Sequence, residues 1–381
     1  MNDIPFFLHG LGQAELDSLA AVLKEPFITT GKTVERFESR FGEYLGARHA
    51  LAVTSCTGAM HMSLLALGIG PGDEVITTPM TFVATTLAII EAGATPVFVD
   101  VELETGNMDA ARVEQAITDK TKALLPVHLY GQMCDMKKLR DIADRHGLKI
   151  IEDSAHCIEG SRDGIRPGRL SDAACFSFYA TKSISCGEGG ALVCNDPDLY
   201  EQLKLLRLHG MTKTAWNRYR DGNARWDVVL PGWKYNMSNI EAALLLPQME
   251  RIDANLAKRE YLAQRYIEKL AAVPSVRIPA RPDGTVHARH LFSIWIENAD
   301  RDRLLTFFHE RGVGAAVNYT AVHLFDYFRK TYGFEPEAFP VAKRMGETTL
   351  SLPFYPAMPV EHIDGVIDTL VKGLAVAKQC S

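Results

Sequence analysis

The residues with the most chemical promise lie in the run IIEDSAHCIEG…AACFSFYATKSISCGEGGALV, residues 150–193. An apolar strand pattern, KII, leads directly into Glu152 and Asp153. In parallel α/β sheets ligands bind beyond the carboxyl ends of strands, so an acid at this point stands where function concentrates. Lys182 follows Asp153 by 182 − 153 = 29 residues, enough chain for a crossover to a second strand, FSFY, that ends at the same rim. Gly187, Gly189 and Gly190 come next and allow backbone to approach closely. A carboxylate and a lysine at one rim suit pyridoxal phosphate chemistry. The lysine amine bonds the cofactor aldehyde and moves protons, and the carboxylate keeps the pyridinium nitrogen charged. Ser177, five residues before the lysine, is a small hydroxyl within reach of a phosphate. By themselves the same residues read equally well as a solvated turn acid and a surface lysine.

The surrounding pattern supplies elements to position them. Leu16, Leu19, Ala20 and Leu23 mark one amphipathic helix, and Val34, Phe37, Phe41 and Leu45 a second. From residue 49 the short runs ALAVT, EVITT, PVFVD, KALLPV, LKIIED, AACFSFY and GALVC alternate with helical segments. That rhythm predicts βαβ units and a mainly parallel sheet covered on both faces. Gly-Pro-Gly-Asp at 70–73 and Asn195-Asp196-Pro197 punctuate it. The alternation ends near residue 245. Ser238–Ala271 is helical in pattern, PARPDG at 279–284 reads as a loop, and LFSIWIE, ADRDRLLTFFHERG, GAAVNY and a helix from about Val360 follow. The expected organisation is therefore a large α/β domain over 1–245 and a smaller α+β domain over 246–381.

Composition narrows the classes. With 41 basic and 47 acidic residues the net charge is −6, which disfavours a nucleic-acid or anionic-membrane binder. No stretch approaches the roughly 18 consecutive apolar residues of a membrane span. Seven scattered cysteines without a CxxC spacing fit reduced thiols, and the first ten residues lack a secretory pattern, so a cytoplasmic protein is expected. TGKT at 30–33 fails as a P-loop because position 26 is Pro where Gly is required. There is no complete GxGxxG, no GxSxG and no HExxH. His287 and His290 are three apart with no third ligand nearby, which favours structural roles over a metal site.

Taken in order, ITTGKTVERFE, ALAVTSCTGAMHMSLLALGIGPGDEVITTPMTFVAT, GATPVFVDV, PVHLYGQ, IIEDSAHCIEG, FSFYATKSISCGEGGALV, LRLHG, GWKYNMSNIEAALLLPQM and VNYTAVHL resemble the DegT-type sugar-nucleotide aminotransferases nearly end to end. The likeness is strongest to the 4-aminotransferase branch that makes UDP-4-amino-4-deoxy-L-arabinose. The resemblance implies the fold of fold-type I pyridoxal phosphate enzymes, with a mainly parallel seven-stranded sheet flanked by helices. It implies transfer of an amino group from L-glutamate to a nucleotide-linked keto-sugar, a 4-keto-6-deoxyhexose or 4-keto-pentose, for polysaccharide or lipopolysaccharide. Lys182 aligns with the Schiff-base lysine, Asp153 with the partner of the ring nitrogen and His156 with the group beside the ring. Phe82 aligns with the stacking aromatic. Thr57, Gly58 and Ser177 align with phosphate contacts, where a helix N-terminus adds its dipole. Asn236 aligns with a phosphate ligand supplied by a neighbouring subunit, which implies a homodimer with shared sites. His323, in NYTAVHL, is a candidate sugar or diphosphate contact. Cys56 departs from the Gly or Ala of many relatives, and the mechanism does not need its thiol. Aminotransfer at C3, transfer onto an inositol-type ketone, and a non-catalytic pyridoxal phosphate-binding regulator are the rival readings.

Overall fold

The computed structural model describes residues 3–212 and 226–378; Cys380 lies outside them. Seven strands form the main sheet: β1 His49–Val53, β2 Glu74–Thr77, β3 Thr95–Phe98, β4 Thr121–Leu124, β5 Lys149–Asp153, β7 Ala173–Ser177 and β8 Gly190–Cys194. Their order is β1-β8-β7-β5-β4-β2-β3. The pairs from β7 through β5, β4 and β2 to β3 are parallel. β8 runs antiparallel to both β7 and β1. Every residue of β7 and β8 is buried, because helices cover both faces of the sheet. All seven runs expected from the sequence are strands of this sheet.

The remaining strands are short. β6 Ser161–Arg162 pairs with β10 Thr285–Val286, and β11 Phe292–Ile296 lies between β12 Thr349–Leu352 and β9 Val276–Arg277. This three-stranded sheet packs with the helices Arg301–His309 and His362–Val376 around Tyr266, Phe292 and Phe354. The stretch Ser238–Ala271 is two helices, Asn239–Met249 and Ile252–Leu270, the first opened by a Ser238–Glu241 capping box. The division expected at residue 245 falls inside the first of these. Ala242, Leu245, Met249 and Ile252 pack with the main sheet, whereas Ile4 from the N-terminus packs with the second core.

GAAVNY does not form the strand its composition suggests. Its backbone is divided between two partners: Gly314 N–H donates to Ile4 O, and Ala316 bridges Ser351. No continuous ladder can develop, and the segment turns so that Asn318 and Tyr319 face the site. No helix among the described residues is long and apolar enough to cross a membrane. The six cysteines within the described residues are free and buried.

Candidate active site

β5 and β7 are parallel neighbours with Asp153 opposite Cys175, so Asp153 and Ser177 finish at one edge of the sheet. The connection from Ser177 to Gly190 carries Lys182 over that edge, with Lys182 N–H donating to Tyr179 O in a turn. β1 ends at the same edge and leads into the helix Cys56–Ala66. The Ser55 side chain caps this helix by accepting from Gly58 N–H. The first amides of a helix have no helical partner, so its N-terminus offers donors and positive dipole to whatever lies in front of it.

In front of it is a cavity of about 490 Å³. Its walls include Cys56, Thr57, Phe82, Asp153, His156, Ser177, Lys182, His290 and Tyr319. Phe82 is 57% exposed, an uncovered ring on the cavity wall. Asp153 is buried and fixed at both carboxylate oxygens: Thr85 Oγ1 donates to Oδ2 at 2.7 Å, and Ala155 N–H donates to Oδ1 at 3.1 Å. Glu152, one residue earlier on the strand, points the opposite way. It is fully buried and receives Gly168 N–H, Ser171 Oγ and His128 Nε2.

Lys182 keeps only partial exposure, and that surface opens into the cavity. Desolvation lowers its amine to about 8, with the Asp153 carboxylate pulling the other way. The amine is therefore partly neutral near physiological pH and can accept a proton. His156 Nδ1 accepts from Tyr130 N–H at 3.2 Å, so its ring proton is assigned to Nε2, which lies 3.0 Å from the Tyr319 hydroxyl. Burial and the nearby Lys182 hold His156 well below its ordinary value, so the ring is neutral. Burial also pushes the Cys56 thiol well up, leaving it protonated and unreactive.

The structure thus brings Lys182, Asp153, His156, Ser177, Phe82 and Thr57 to one cavity. Gly58 stands just behind the wall, its N–H occupied by Ser55. Asn236 lies outside the cavity, half-buried, donating to Thr30 Oγ1 and accepting from Lys234 Nζ. His323 is not brought to the cavity. Its ring is fully buried, 3.1 Å from the Pro336 carbonyl and edge-on to Phe339, which leaves no face for a sugar.

Sequence reasoning missed three contributors. Thr85 orients Asp153, and Tyr319 closes the cavity 5.7 Å from the Phe82 ring centroid. His290, which the sequence offered only as half of a His-x-x-His pair, places Nε2 3.4 Å from Lys182 Nζ. His287 Nδ1 accepts from Arg289 N–H at 2.9 Å. Among the described residues no three His, Cys, Asp or Glu side chains converge as a metal site.

The cavity fits a pyridine-ring phosphate. It offers a half-buried amine of lowered pKa, a rigid carboxylate, an open aromatic face and a helix N-terminus beside a serine hydroxyl. The glycine at the start of β8 adds a further constraint: a Cβ on Gly190 would stand 2.4 Å from Ser55 backbone carbon and 2.5 Å from Cys56 N. Only glycine lets the strand approach the helix start so closely.

Comparison with known proteins agrees with the geometry. A model of the DegT/DnrJ/EryC1/StrS aminotransferase family matches residues 10–371. The spore coat polysaccharide biosynthesis protein SpsC of Bacillus subtilis (strain 168) is 40% identical over 379 residues, spanning 97% of each chain. The putative sugar aminotransferase Spr1654 from Streptococcus pneumoniae in its PMP form superposes with a TM-score of 0.93 at 30% identity, covering 98% of this chain and 100% of that one. Its PLP form gives 0.91. Helicobacter pylori PseC, an aminotransferase involved in the biosynthesis of pseudoaminic acid, gives 0.90 at 27% identity, covering 98% and 100%.

Proposed function

The chain belongs to the DegT/DnrJ/EryC1/StrS aminotransferase family, and from that premise we propose that it moves an amino group from L-glutamate to a nucleotide-linked 4-keto-sugar. The protein is a sugar aminotransferase, a transferase that depends on pyridoxal 5'-phosphate. The proposed acceptor is a 4-keto-6-deoxyhexose or a 4-keto-pentose, and the product an amino-sugar nucleotide for polysaccharide or lipopolysaccharide assembly. The polysaccharide setting is supported by the relative SpsC. The single observation that carries the catalytic reading is the half-buried Lys182 amine, lowered to about 8, in one cavity with the doubly fixed Asp153 carboxylate.

The bound cofactor supplies an electron sink that stabilises a carbanion at the carbon losing its proton. Lys182 would hold the cofactor through Nζ and, once freed by the donor, carry the proton between carbon atoms. Asp153 would pair with the ring nitrogen, its two oxygens held in place by Thr85 and Ala155. Phe82 would lie on the ring face and His156 beside the ring, its Nε2–H committed to Tyr319. Ser177, Thr57 and the opening amides of the helix Cys56–Ala66, with Gly58 behind them, would bind the phosphate. Asn236 does not reach the cavity of its own chain, which supports a homodimer in which it serves the second copy.

The experiment is an absorbance titration. L-Glutamate should shift a band near ~410–430 nm toward ~330 nm, and a 4-keto-sugar nucleotide should restore it. Restoration only by a 3-keto-sugar nucleotide or an inositol-type ketone would overturn the proposed acceptor. An unchanged spectrum with glutamate would overturn the donor.

A further inference from the structure

Lys182 is not alone at the rim. His290 Nε2 lies 3.4 Å from its Nζ, and the two residues together form part of the wall between the main cavity and a second one of about 220 Å³. His290 is 7% exposed, and its ring lies against that of His156 with centroids 4.5 Å apart. The backbone around it is pinned. Ala288 N–H donates to Gly131 O while Arg259 Nη2 donates to Ala288 O, and the Arg289 guanidinium is tied to Glu260. An imidazole held by its backbone on one side and by a ring on the other has a fixed place from which to address the lysine.

The direction of the hydrogen bond follows from what Lys182 must do. An ammonium has only donors, and a neutral amine has two hydrogens and one lone pair. If His290 gave an Nε2 proton to that lone pair, the amine could no longer receive a proton from a substrate. In both protonation states of a working Lys182, His290 Nε2 must therefore accept. Burial, then the Lys182 cation, with the Arg259 guanidinium adding to it, hold His290 well below its ordinary value. It stays neutral and has an acceptor to offer.

We infer that His290 is a positioning residue for the proton-moving amine: it accepts a hydrogen bond from Lys182 Nζ at Nε2, carries its own proton on Nδ1, and turns the lysine lone pair into the main cavity. The inference rests on the proposed role of Lys182. Removing the acceptor by His290→Phe keeps a ring against His156. It should slow the single turnover with L-glutamate about 10- to 100-fold, the worth of one hydrogen bond to a charged group, at an unchanged half-saturating donor concentration. The acidic limb of that rate should move to lower pH, because the ammonium loses an acceptor while the Asp153 carboxylate, the charge that favours it, and the neutral Cys56 thiol remain. His290→Gln, which keeps an acceptor, should recover most of the rate.

A readout independent of turnover is the ¹⁵N spectrum of histidine-labelled holoenzyme in its amine form, where Lys182 is free. The signal that His290→Gln removes should show Nδ1 protonated and Nε2 bare. An Nε2-protonated ring, a wild-type rate and limb in His290→Phe, or equal damage from Gln and Phe would each overturn the inference. Should His290→Phe fail to fold, the spectrum of the wild-type protein and the Gln variant still decide. Normal turnover by Lys182→Ala would instead remove the premise.

Discussion

Gly190→Ala tests whether the start of the helix Cys56–Ala66 is the phosphate cradle. The new Cβ would sit 2.4 Å from Ser55 backbone carbon, 2.5 Å from Cys56 N and 2.8 Å from Phe176 O. Reaching the 3.0 Å floor of real contacts needs 3.0 − 2.4 = 0.6 Å of movement, and ordinary contact at 3.4 Å needs 3.4 − 2.4 = 1.0 Å. The methyl cannot escape sideways, because Gly190 is paired with Val53 on one side and Ser177 on the other. The Phe176 carbonyl, also inside the 3.0 Å floor, belongs to the paired neighbour strand and is held there. The displacement must therefore pass into Ser55 and Cys56, the residues that present the first amides. Overpacking of this kind costs about 1–3 kcal/mol of stability. Losing one or two amide bonds to a dianionic phosphate, each about 1.5–3 kcal/mol, weakens cofactor binding by at least ~10-fold. The assay is titration of cofactor-stripped protein by absorbance, paired with its melting temperature. Gly12→Ala, whose Cβ meets nothing within 4 Å, serves as control. Wild-type cofactor affinity in a Gly190→Ala protein with a lowered melting temperature would refute the cradle: the approach would then serve packing alone.

Lys182→Ala should keep its fold and lose both transamination and the ~410–430 nm band; normal turnover, measured as 2-oxoglutarate release, would remove Lys182 from the mechanism. Asp153→Asn should retain bound cofactor, because the phosphate contacts remain. Its half-reaction should slow by roughly 10²-fold or more as the electron sink weakens, and near-wild-type rates would place the ring-nitrogen partner elsewhere. Burial depresses Lys182, so its neutral fraction rises with pH through about 8. The rate of cofactor loading onto stripped protein should climb about tenfold per pH unit below that point and level off above it. A flat profile from pH 6 to 9 would contradict an amine of that pKa. Glu152→Ala should destabilise the fold by ~3–5 kcal/mol, read as a denaturant midpoint shift, because His128, Ser171 and Gly168 N–H all lose a buried acceptor.

What the sequence disclosed was whatever leaves a local periodicity. The seven sheet strands are short apolar runs between turn residues, and each is where its pattern puts it. Asp153 and Lys182 were legible because a strand-end acid and a rim lysine 29 residues apart fit one crossover. The separate fates of Glu152 and Asp153 follow from strand alternation, which sends adjacent side chains to opposite faces. Which face is core and which is cavity depends on the helices that cover the sheet, and no run of residues 150–153 encodes that. His290 was hidden for a similar reason. Its partner is 108 positions away, and only the pinning of residues 288–291 against Gly131 and Tyr130 brings it to Lys182. GAAVNY misled because β propensity says nothing about whether a neighbouring edge is free. His323 misled because a polar residue in a substrate-facing segment can still turn inward to a carbonyl.

The antiparallel direction of β8 is the feature that makes one site out of these parts. In a sheet whose other strands run parallel, residues at the carboxyl ends of β1, β5 and β7 all finish at one edge. A parallel β8 would begin at the opposite edge, and its crossover would need a dozen or more residues with a helix of its own. Running antiparallel, β8 begins where its neighbours end, so the return from Ser177 to Gly190 starts and finishes at that edge with no helix of its own. Both ends of that connection are at the rim, and the same reversal brings Lys182 into one cavity with Asp153 and sets Gly190 against Ser55 and Cys56. The amine end and the phosphate end of the cavity are therefore not independent. A change that shifts the start of β8 must move both, which is why Gly190→Ala is expected to disturb the lysine loop as well as the cradle, and why its cofactor-loading rate should fall together with its affinity.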